Sequence, residues 1–432
     1  MNNIHQQKIV LVDFIFVFLI VIYAGSATTF VRSTNTWENL IGLLLPIIFS
    51  IIMAFKHKIR ISKGFAYLLI GFLVYNIALT IKFHEIHPRF MGIYVISFFI
   101  SYVAISSLRF RFFFYFENIL YYLCIIALFF WGIQSIMPDT LKNIFQLISF
   151  SEPGSGNVES NIIIYTLPNT EGFESYVLNF GGFSIIRNAG FTWEPGAFAC
   201  YINLAIFVNL IRTKFKIHKN FRLFIFIIAL ITTFSTTGFT IFMMLLIFYA
   251  YNQHLKHRIL FAPVLIALIF YVSTLPFMTE KISDNSEYDT EEMIENSITY
   301  DEEFTPQRIQ SLQIDFIDFL NNPILGYGGQ LEEQWTAKLG ANISTISGIG
   351  KVLAVFGLVG IFFFFINLKN SSVDFANYFH FEGWAFPFIM IFMISVSYSI
   401  IFGPLLMSFW LMNRRYLMST ETPIYKNIRN KI

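Results

Sequence analysis

The distribution of apolar residues constrains the fold of this 432-residue chain more than any other feature. Eleven apolar runs of 12 to 29 residues follow one another along its length, and about 20 such residues cross the hydrocarbon core of a bilayer. Inside hydrocarbon every backbone N–H and C=O group needs a partner within the protein, so these runs predict transmembrane helices. The runs occupy residues 9–23, 40–55, 65–81, 90–108, 119–136, 198–211, 223–234, 240–251, 259–276, 348–368 and 384–412.

The small number of charged residues supports the same interpretation. Charged residues form 13% of the chain, about half of the share of roughly 25% that is usual in soluble domains. This excludes an ordinary soluble enzyme, and a hydrophobic share of 56% excludes a disordered chain. The net charge of +2, without a basic face, argues against a nucleic-acid partner. Cys124 and Cys200 each lie in an apolar run, which predicts packed thiols.

Lysine and arginine concentrate in alternate loops, which the positive-inside rule assigns to the cytoplasm. The opposite loops carry most of the aspartate and glutamate. Both termini are basic, so we expect both to be cytoplasmic and the number of spans to be even. As one helix, the run 384–412 would be about 43 Å long, but Gly403-Pro404 predicts a break within it. Two short helices or a re-entrant pair there bring the total to about twelve spans. The basic loops are 56–63, 109–111, 212–222 and 256–258.

We therefore predict an all-α polytopic membrane protein with about twelve transmembrane helices and two large periplasmic loops. Loops longer than about 15 residues are usually functional or disordered. In the second loop, residues 309–320 carry apolar side chains at helical spacing, which favours a helix lying on the membrane surface. The predicted units are N-terminal membrane helices (1–136), a first loop (137–197), central membrane helices (198–276), a second loop (277–347) and C-terminal membrane helices with a cytoplasmic tail (348–432).

Most familiar catalytic motifs are absent from the sequence, which has no P-loop, HExxH, CxxC or GxSxG pattern. His84, Glu85 and His87 form a short cluster that is either half of a metal site or a solvated loop. Asp13 and Lys351 lie near helix ends and can extend toward water. The spans therefore give little support to a proton-relay transporter.

Two isolated arginines in the acidic outer loops are the strongest candidates for chemistry. Arg187 precedes Glu194-Pro195, which opens the next apolar run. Glu194 is then either a helix start, as the proline and the carboxylate favour, or an acid held at the membrane surface beside Arg187. Arg308 is either paired with an acid at 301–303 or available to a ligand. Guanidinium forks match phosphate oxygens, so two arginines at the outer face suit a lipid diphosphate.

Four short motifs carry a resemblance to a known family. Residues 187–195, R-x-x-G-F-x-x-E-P, resemble the motif that precedes a span in the O-antigen polymerase and ligase superfamily. Arg308, the helical segment after it and residues 322–328 resemble the second signature of that group. Residues 235–238 and 356–360 also fit. Each motif alone is weak, but their order and their outer placement make the set fairly specific.

The resemblance implies a Wzy-type polymerase of O-antigen or capsular polysaccharide in the bacterial inner membrane, with a GT-C-like helical bundle. Such proteins join undecaprenyl-diphosphate-linked repeat units at the periplasmic face and use no metal or other cofactor. By the match, Arg187 and Arg308 would hold the diphosphate leaving group, and Glu194 would order Arg187 or help to deprotonate the acceptor hydroxyl. Asn188 and Tyr327 lie in the two signatures and would bind substrate. A polysaccharide chain-length regulator is an expected partner.

Three alternatives remain beside the polymerase: a ligase, a flippase, and a scaffolding membrane protein, which would not need two arginine-bearing outer loops. Ligases of the superfamily carry a His-Asn pair shortly before the Gly-x-x-Gly motif, where this sequence has Ile346 and Ser347. No histidine occurs between His257 and His380, which lowers the ligase interpretation and leaves the general base unidentified. A flippase for lipid-linked oligosaccharide should have polar spans, and these spans have almost no charge.

Overall fold

The computed structural model describes residues 10–25, 36–137, 159–160, 165–166, 177–180, 183–253, 290–300 and 304–417. This part of the chain is mostly helical, and two short antiparallel hairpins, β1–β2 and β3–β4, precede α6. The helices are α1 (Leu11–Gly25), α2 (Thr36–Lys56), α3 (Lys63–Phe83), α4 (Pro88–Leu108), α5 (Arg111–Ile136), α6 (Pro195–Arg212), α7 (Phe221–Thr232), α8 (Thr236–Tyr251), α9 (Thr290–Tyr300), α10 (Arg308–Asn321), α11 (Trp335–Lys338), α12 (Gly348–Phe379), α13 (Ala385–Ser397) and α14 (Pro404–Trp410). The strands are β1 (Glu159–Ser160), β2 (Tyr165–Thr166), β3 (Val177–Phe180) and β4 (Phe183–Ile186).

The prediction of a helical membrane protein is confirmed in its general form. Among the described residues, five helices are long and apolar enough to cross a membrane by length and composition: α3, α4, α5, α6 and α12. Shorter apolar helices are α1, the Leu44–Lys56 part of α2, α7, α8 and α13. The predicted span 259–276 lies outside the described residues. The count of about twelve spans, the two large loops and their sides stay predictions.

Helix α6 forms the centre of the bundle. Every residue from Pro195 to Ile211 is buried, and α5, α7 and α8 pack around the helix. A helix that is apolar on all sides is expected in such a buried position. Because Glu194 is the N-cap of this helix, the central packing also fixes the position of that carboxylate at one end of the bundle.

The long apolar run 384–412 is broken, and in two places rather than one. Helix α13 ends at Ser397, and Tyr398 follows in an extended conformation (φ −141°, ψ 138°). A single 3₁₀ turn, Ser399–Phe402, leads to Gly403, where α14 begins with Pro404 in its first turn. The Gly-Pro break predicted from the sequence is therefore present, but the earlier break at Tyr398 was not predicted.

Two of the four short motifs pack directly against each other. Gly357 interrupts α12 with a non-helical conformation (φ 61°, ψ −156°), and the turn at 322–328 fills the interruption. Tyr327 N donates to Ala354 O at 2.9 Å, and Leu358 N donates to Pro323 O at 2.8 Å. A β-carbon on Gly357 would lie 2.5 Å from Ile324 O. The positive φ and this close approach both require glycine at the position.

Helix α10 confirms the predicted helix at 309–320 and shows which face it buries. Gln310, Ser311, Ile314, Asp315 and Asp318 are buried, and α12 is the helix that α10 packs against most extensively. The outward face carries exposed apolar side chains: Ile309, Phe316 and Leu320. Polar groups inside and apolar groups outside are the reverse of a helix on a water-soluble protein, and they fit a helix whose outer face meets lipid.

Candidate active site

Glu194, Arg308 and Tyr398 meet where the N-termini of α6 and α10 approach the break after α13. Arg308 Nη2 lies 3.0 Å from Glu194 Oε1, and the Tyr398 hydroxyl donates to the same oxygen at 3.0 Å. Arg308 Nη2 also donates to the Tyr398 hydroxyl, and its guanidinium stacks over the tyrosine ring at 4.7 Å. Three segments far apart in sequence therefore form one polar cluster, which we call the Glu–Arg–Tyr cluster.

Local backbone geometry explains why the Glu194 side chain is available to this cluster. Glu194 is the N-cap residue of α6 and Pro195 opens its first turn, as the sequence predicted for a helix start. The carboxylate makes no capping hydrogen bond to the helix backbone and pairs with Arg308 instead. The helix-start interpretation of Glu194 is therefore confirmed, and an acid at the membrane surface beside Arg187 stays a prediction. The Tyr398 hydroxyl approaches Gly196 so closely that a β-carbon there would overlap it, so this position requires glycine.

Arg308 opens α10 and is held by a second element as well. Its Nε donates to the Ser397 carbonyl at 3.3 Å, at the C-terminus of α13. No described residue accepts a hydrogen bond from Arg308 Nη1, and none donates to Glu194 Oε2. The side chains of Arg308 and Glu194 are 28% and 23% exposed. Both side chains are therefore only partly covered by the described part of the chain. The predicted alternative partners of Arg308, at 301–303, lie outside the described residues.

Arg187 is buried, and it contacts the segment that joins α7 to α8. It follows β4 directly, and Trp131 Nε1 donates to the Ile186 carbonyl at 2.6 Å, which ties the hairpin to α5. Arg187 Nε donates to Thr233 O at 3.1 Å. Four residues further on, Thr237 Oγ1 lies 3.1 Å from Ser397 Oγ. The segment 233–237 therefore contacts Arg187 at one end and Ser397 at the other. Ser397 in turn accepts a hydrogen bond from Arg308.

The other two predicted substrate-binding residues have their polar side-chain groups bonded within the protein. Asn188 Nδ2 donates to Thr232 Oγ1 at 3.0 Å, and its Oδ1 accepts from Gly190 N at 3.0 Å. Tyr327 packs in a cluster with Tyr75 and Phe356, and its hydroxyl accepts from Gln334 Nε2 at 2.8 Å. Tyr327 belongs to the turn beyond the C-terminus of α10, so the structure does not bring it to Arg308. Substrate binding by either residue stays a prediction.

Sequence reasoning missed Tyr398, the third member of the cluster. The polar residues Ser395, Ser397 and Ser399 surround it within the apolar run 384–412. That local loss of hydropathy was the available signal, but the prediction placed the break only at Gly403-Pro404.

Two buried carboxylates on the inner face of α10 were also not predicted. Asp315 is 1% exposed and accepts from Thr345 Oγ1 at 2.8 Å. Burial raises the pKa of Asp315 to about 7, although the Thr345 hydroxyl and Lys351 oppose the shift. Burial likewise raises the pKa of Asp318 to about 6, against the hydrogen bond from the Trp335 backbone N–H. Through these hydrogen bonds to Thr345 and Trp335, the two carboxylates fix α10, which begins with Arg308, against the segments that follow it.

An apolar groove of about 280 Å³ lies between α3, α4, α12 and the 3₁₀ turn that follows Tyr398. Its walls are mostly aromatic and aliphatic, and Ile401 and Phe402 of that turn contribute to them. The groove therefore lies a few residues along the chain from the Glu–Arg–Tyr cluster. A groove of this composition suits a hydrocarbon chain rather than a polar molecule.

No group of three or more potential metal ligands occurs among the described residues. In the cluster at 84–87, His87 Nε2 lies 3.7 Å from Glu85 Oε2. No family model, curated protein or solved structure matches the chain. The resemblance to the polymerase and ligase superfamily therefore rests on the motifs alone.

Proposed function

We propose that this protein is a glycosyltransferase that polymerises undecaprenyl-diphosphate-linked oligosaccharide repeat units into O-antigen or capsular polysaccharide. The observation that carries the proposal is the Glu–Arg–Tyr cluster, in which a partly exposed cation and a partly exposed carboxylate lie side by side. This cluster unites the two motifs that resemble the superfamily signatures.

In the proposed reaction, the hydroxyl oxygen of the acceptor sugar attacks the anomeric carbon of the donor glycan. The bond from that carbon to the diphosphate oxygen breaks, and its electron pair leaves with undecaprenyl diphosphate. Arg308, through its Nη1, stabilises the negative charge that develops on the leaving group. Glu194, through its Oε2, receives the hydroxyl proton. Arg187 adds positive charge at the same end of the bundle.

The apolar groove supports a lipid-linked substrate. The 3₁₀ turn begins beside Tyr398 and contributes Phe402 to the groove wall. A diphosphate at Arg308 could therefore have its isoprenoid chain in the groove. An isoprenoid chain enters the groove from hydrocarbon rather than from water, so packing contacts with the groove walls would favour lipid diphosphates over soluble sugar nucleotides.

The proposed setting is the inner membrane of a bacterium, with the cluster at the periplasmic face and both termini in the cytoplasm. It follows from the positive-inside rule applied to the basic loops. The basic loop between α6 and α7 lies at the opposite end of α6 from Glu194, as this orientation requires.

A genetic complementation tests the proposal. In a source strain without the native gene, we expect the wild-type protein to restore a glycan ladder on a gel, while Arg308→Ala and Arg308→Lys leave a single repeat unit. Arg414→Ala is the matched control, because Arg414 pairs with Asp374 away from the cluster, and it should restore the ladder. A normal ladder from both Arg308 variants would contradict the site. Loss of every attached unit would indicate a ligase instead.

A further inference from the structure

A basic pocket of about 630 Å³ opens at the end of the bundle that the sequence predicts to be cytoplasmic. The loop that joins α6 to α7 forms it, together with residues at the ends of those helices and Tyr121 of α5. The cations that line it are Arg212, Lys214, Lys216, Lys219 and Arg222.

Buried partners hold the two arginines of this pocket in place. Glu117 is fully buried, and Arg212 binds it with two hydrogen bonds of 2.5 and 2.8 Å. Arg222 Nη2 donates to Asn118 Oδ1 at 2.8 Å, and its guanidinium lies 5.2 Å from the centre of the Tyr121 ring. The pocket is therefore built on fixed side chains rather than on freely moving surface residues.

The loop backbone adopts conformations that side-chain-bearing residues rarely take. Lys214, Phe215 and Lys219 have φ values of 53°, 59° and 60°, in the left-handed region that L-residues disfavour. Two contacts maintain the first of these turns: Phe215 N donates to Leu210 O at 2.8 Å, and the Phe215 ring packs on Phe248. Strained backbone that the surrounding structure maintains is typical of binding sites.

The pocket has more positive than negative charge. Among the described residues, the pairing carboxylate at the pocket is Glu117, which the arginines already use. No described residue forms an ion pair with Lys214, Lys216 or Lys219. Clustered cations of this kind recognise phosphate oxygens.

The surroundings of the pocket favour a lipid rather than a soluble phosphate. Tyr122, next to Tyr121 on α5, is 52% exposed, and Phe221 and Phe224 at the start of α7 are 63% and 57% exposed. These apolar side chains continue from the pocket along the outside of the bundle, where acyl chains would lie. We propose that this pocket binds the phosphate headgroup of an anionic phospholipid of the cytoplasmic leaflet, with its acyl chains against α5 and α7.

Native mass spectrometry of the full-length protein, released from nanodiscs, tests the inference. The nanodiscs contain phosphatidylcholine with a minor fraction of phosphatidylglycerol. We expect the wild-type protein to retain phosphatidylglycerol and the triple variant Lys214→Gln, Lys216→Gln, Lys219→Gln to retain about a hundredfold less, since each lysine near an anionic headgroup contributes about a fivefold factor. The matched control is Lys58→Gln, Arg60→Gln, Lys63→Gln, which removes the same charge from an exposed loop predicted to lie on the same side.

The control variant should retain the lipid as the wild-type protein does. Equal loss from both variants would mean that general surface charge attracts the lipid, and it would overturn a specific site. Thermal unfolding of the detergent-purified protein separates the two phosphate sources. Phosphatidylglycerol should raise the unfolding temperature of the wild-type protein but not that of the pocket variant. An equal rise with inorganic phosphate alone would overturn the lipid assignment in favour of a soluble ligand.

Discussion

Arg308 and Glu194 are 114 residues apart in sequence and form an ion pair of 3.0 Å at the meeting point of three chain segments. The pair joins the first of the two large outer regions predicted from the sequence to the second. Tyr398 forms hydrogen bonds with both partners and fixes their positions. The two side chains nevertheless remain 28% and 23% exposed. A partly exposed ion pair contributes little to stability, typically about 0–1 kcal/mol, so replacing either partner should change activity more than folding if the proposed function holds.

The carboxylate of Glu194 is the first target for substitution. Glu194→Gln keeps the size of the side chain and its contact with Arg308 but removes the charge that would accept a proton. We expect polymer formation to fall by about a hundredfold or more, with the unfolding temperature nearly unchanged. Quantifying the glycan ladder in complemented cells measures this. Glu333→Gln, which removes an exposed carboxylate paired with Lys338, should behave like wild type, and full activity of Glu194→Gln would exclude the carboxylate as base.

The hydroxyl of Tyr398 holds both members of the pair. Tyr398→Phe keeps the ring under the Arg308 guanidinium but removes the hydrogen bond to Glu194. A hydrogen bond to a charged group contributes about 1.5–3 kcal/mol, so we expect roughly a tenfold or greater loss of polymer yield. Tyr300→Phe, at an exposed position on α9, is the control. Unchanged yield in Tyr398→Phe would show that the hydroxyl does not position the cluster.

Gly357 should tolerate no side chain. Gly357→Ala combines a positive φ with a β-carbon placed 2.5 Å from Ile324 O, so we expect about 2 kcal/mol or more of destabilisation. Thermal unfolding in detergent provides the measurement. Gly71→Ala is the matched control, because a β-carbon on Gly71 meets nothing within 4 Å and alanine is the better helix former. Similar unfolding temperatures for the two variants would contradict the account of the α12 interruption.

The buried Asp315 should make stability depend on pH. Its pKa is raised from 3.8 to about 7 by burial, so the folded protein binds more protons than the unfolded chain between those values. Stability should therefore decrease as the pH rises from about 4 to about 7 and then level off. Asp315→Asn should reduce this dependence and leave the smaller part that comes from Asp318, whose pKa is raised to about 6, as measured by unfolding temperature between pH 4 and pH 8. The same slope in both proteins would show that Asp315 is not the titrating group.

The sequence predicted the helical segments well because apolar runs in a membrane protein leave little choice of structure. The helix predicted at 309–320, which the structure shows as Arg308–Asn321, also followed from a local pattern. The position of Tyr398 in the cluster could not be predicted in this way, because it depends on contacts with Glu194 and Arg308, which are distant in sequence. Asp315 and Asp318 look in the sequence like the polar face of a surface helix, and only tertiary packing shows that they are buried. The contact between residues 322–328 and the α12 interruption is likewise a long-range feature that no local pattern indicates.

The central claim is glycosyl transfer with release of a lipid diphosphate, and reconstitution measures it directly. Purified protein in lipid vesicles would be given undecaprenyl-diphosphate-linked repeat units, and both products would be followed by mass spectrometry. The account predicts one undecaprenyl diphosphate released for each repeat unit added to a growing chain, and neither product with Arg308→Ala. Movement of the lipid-linked unit across the bilayer, without release of undecaprenyl diphosphate or growth of a chain, would contradict it and indicate a transporter.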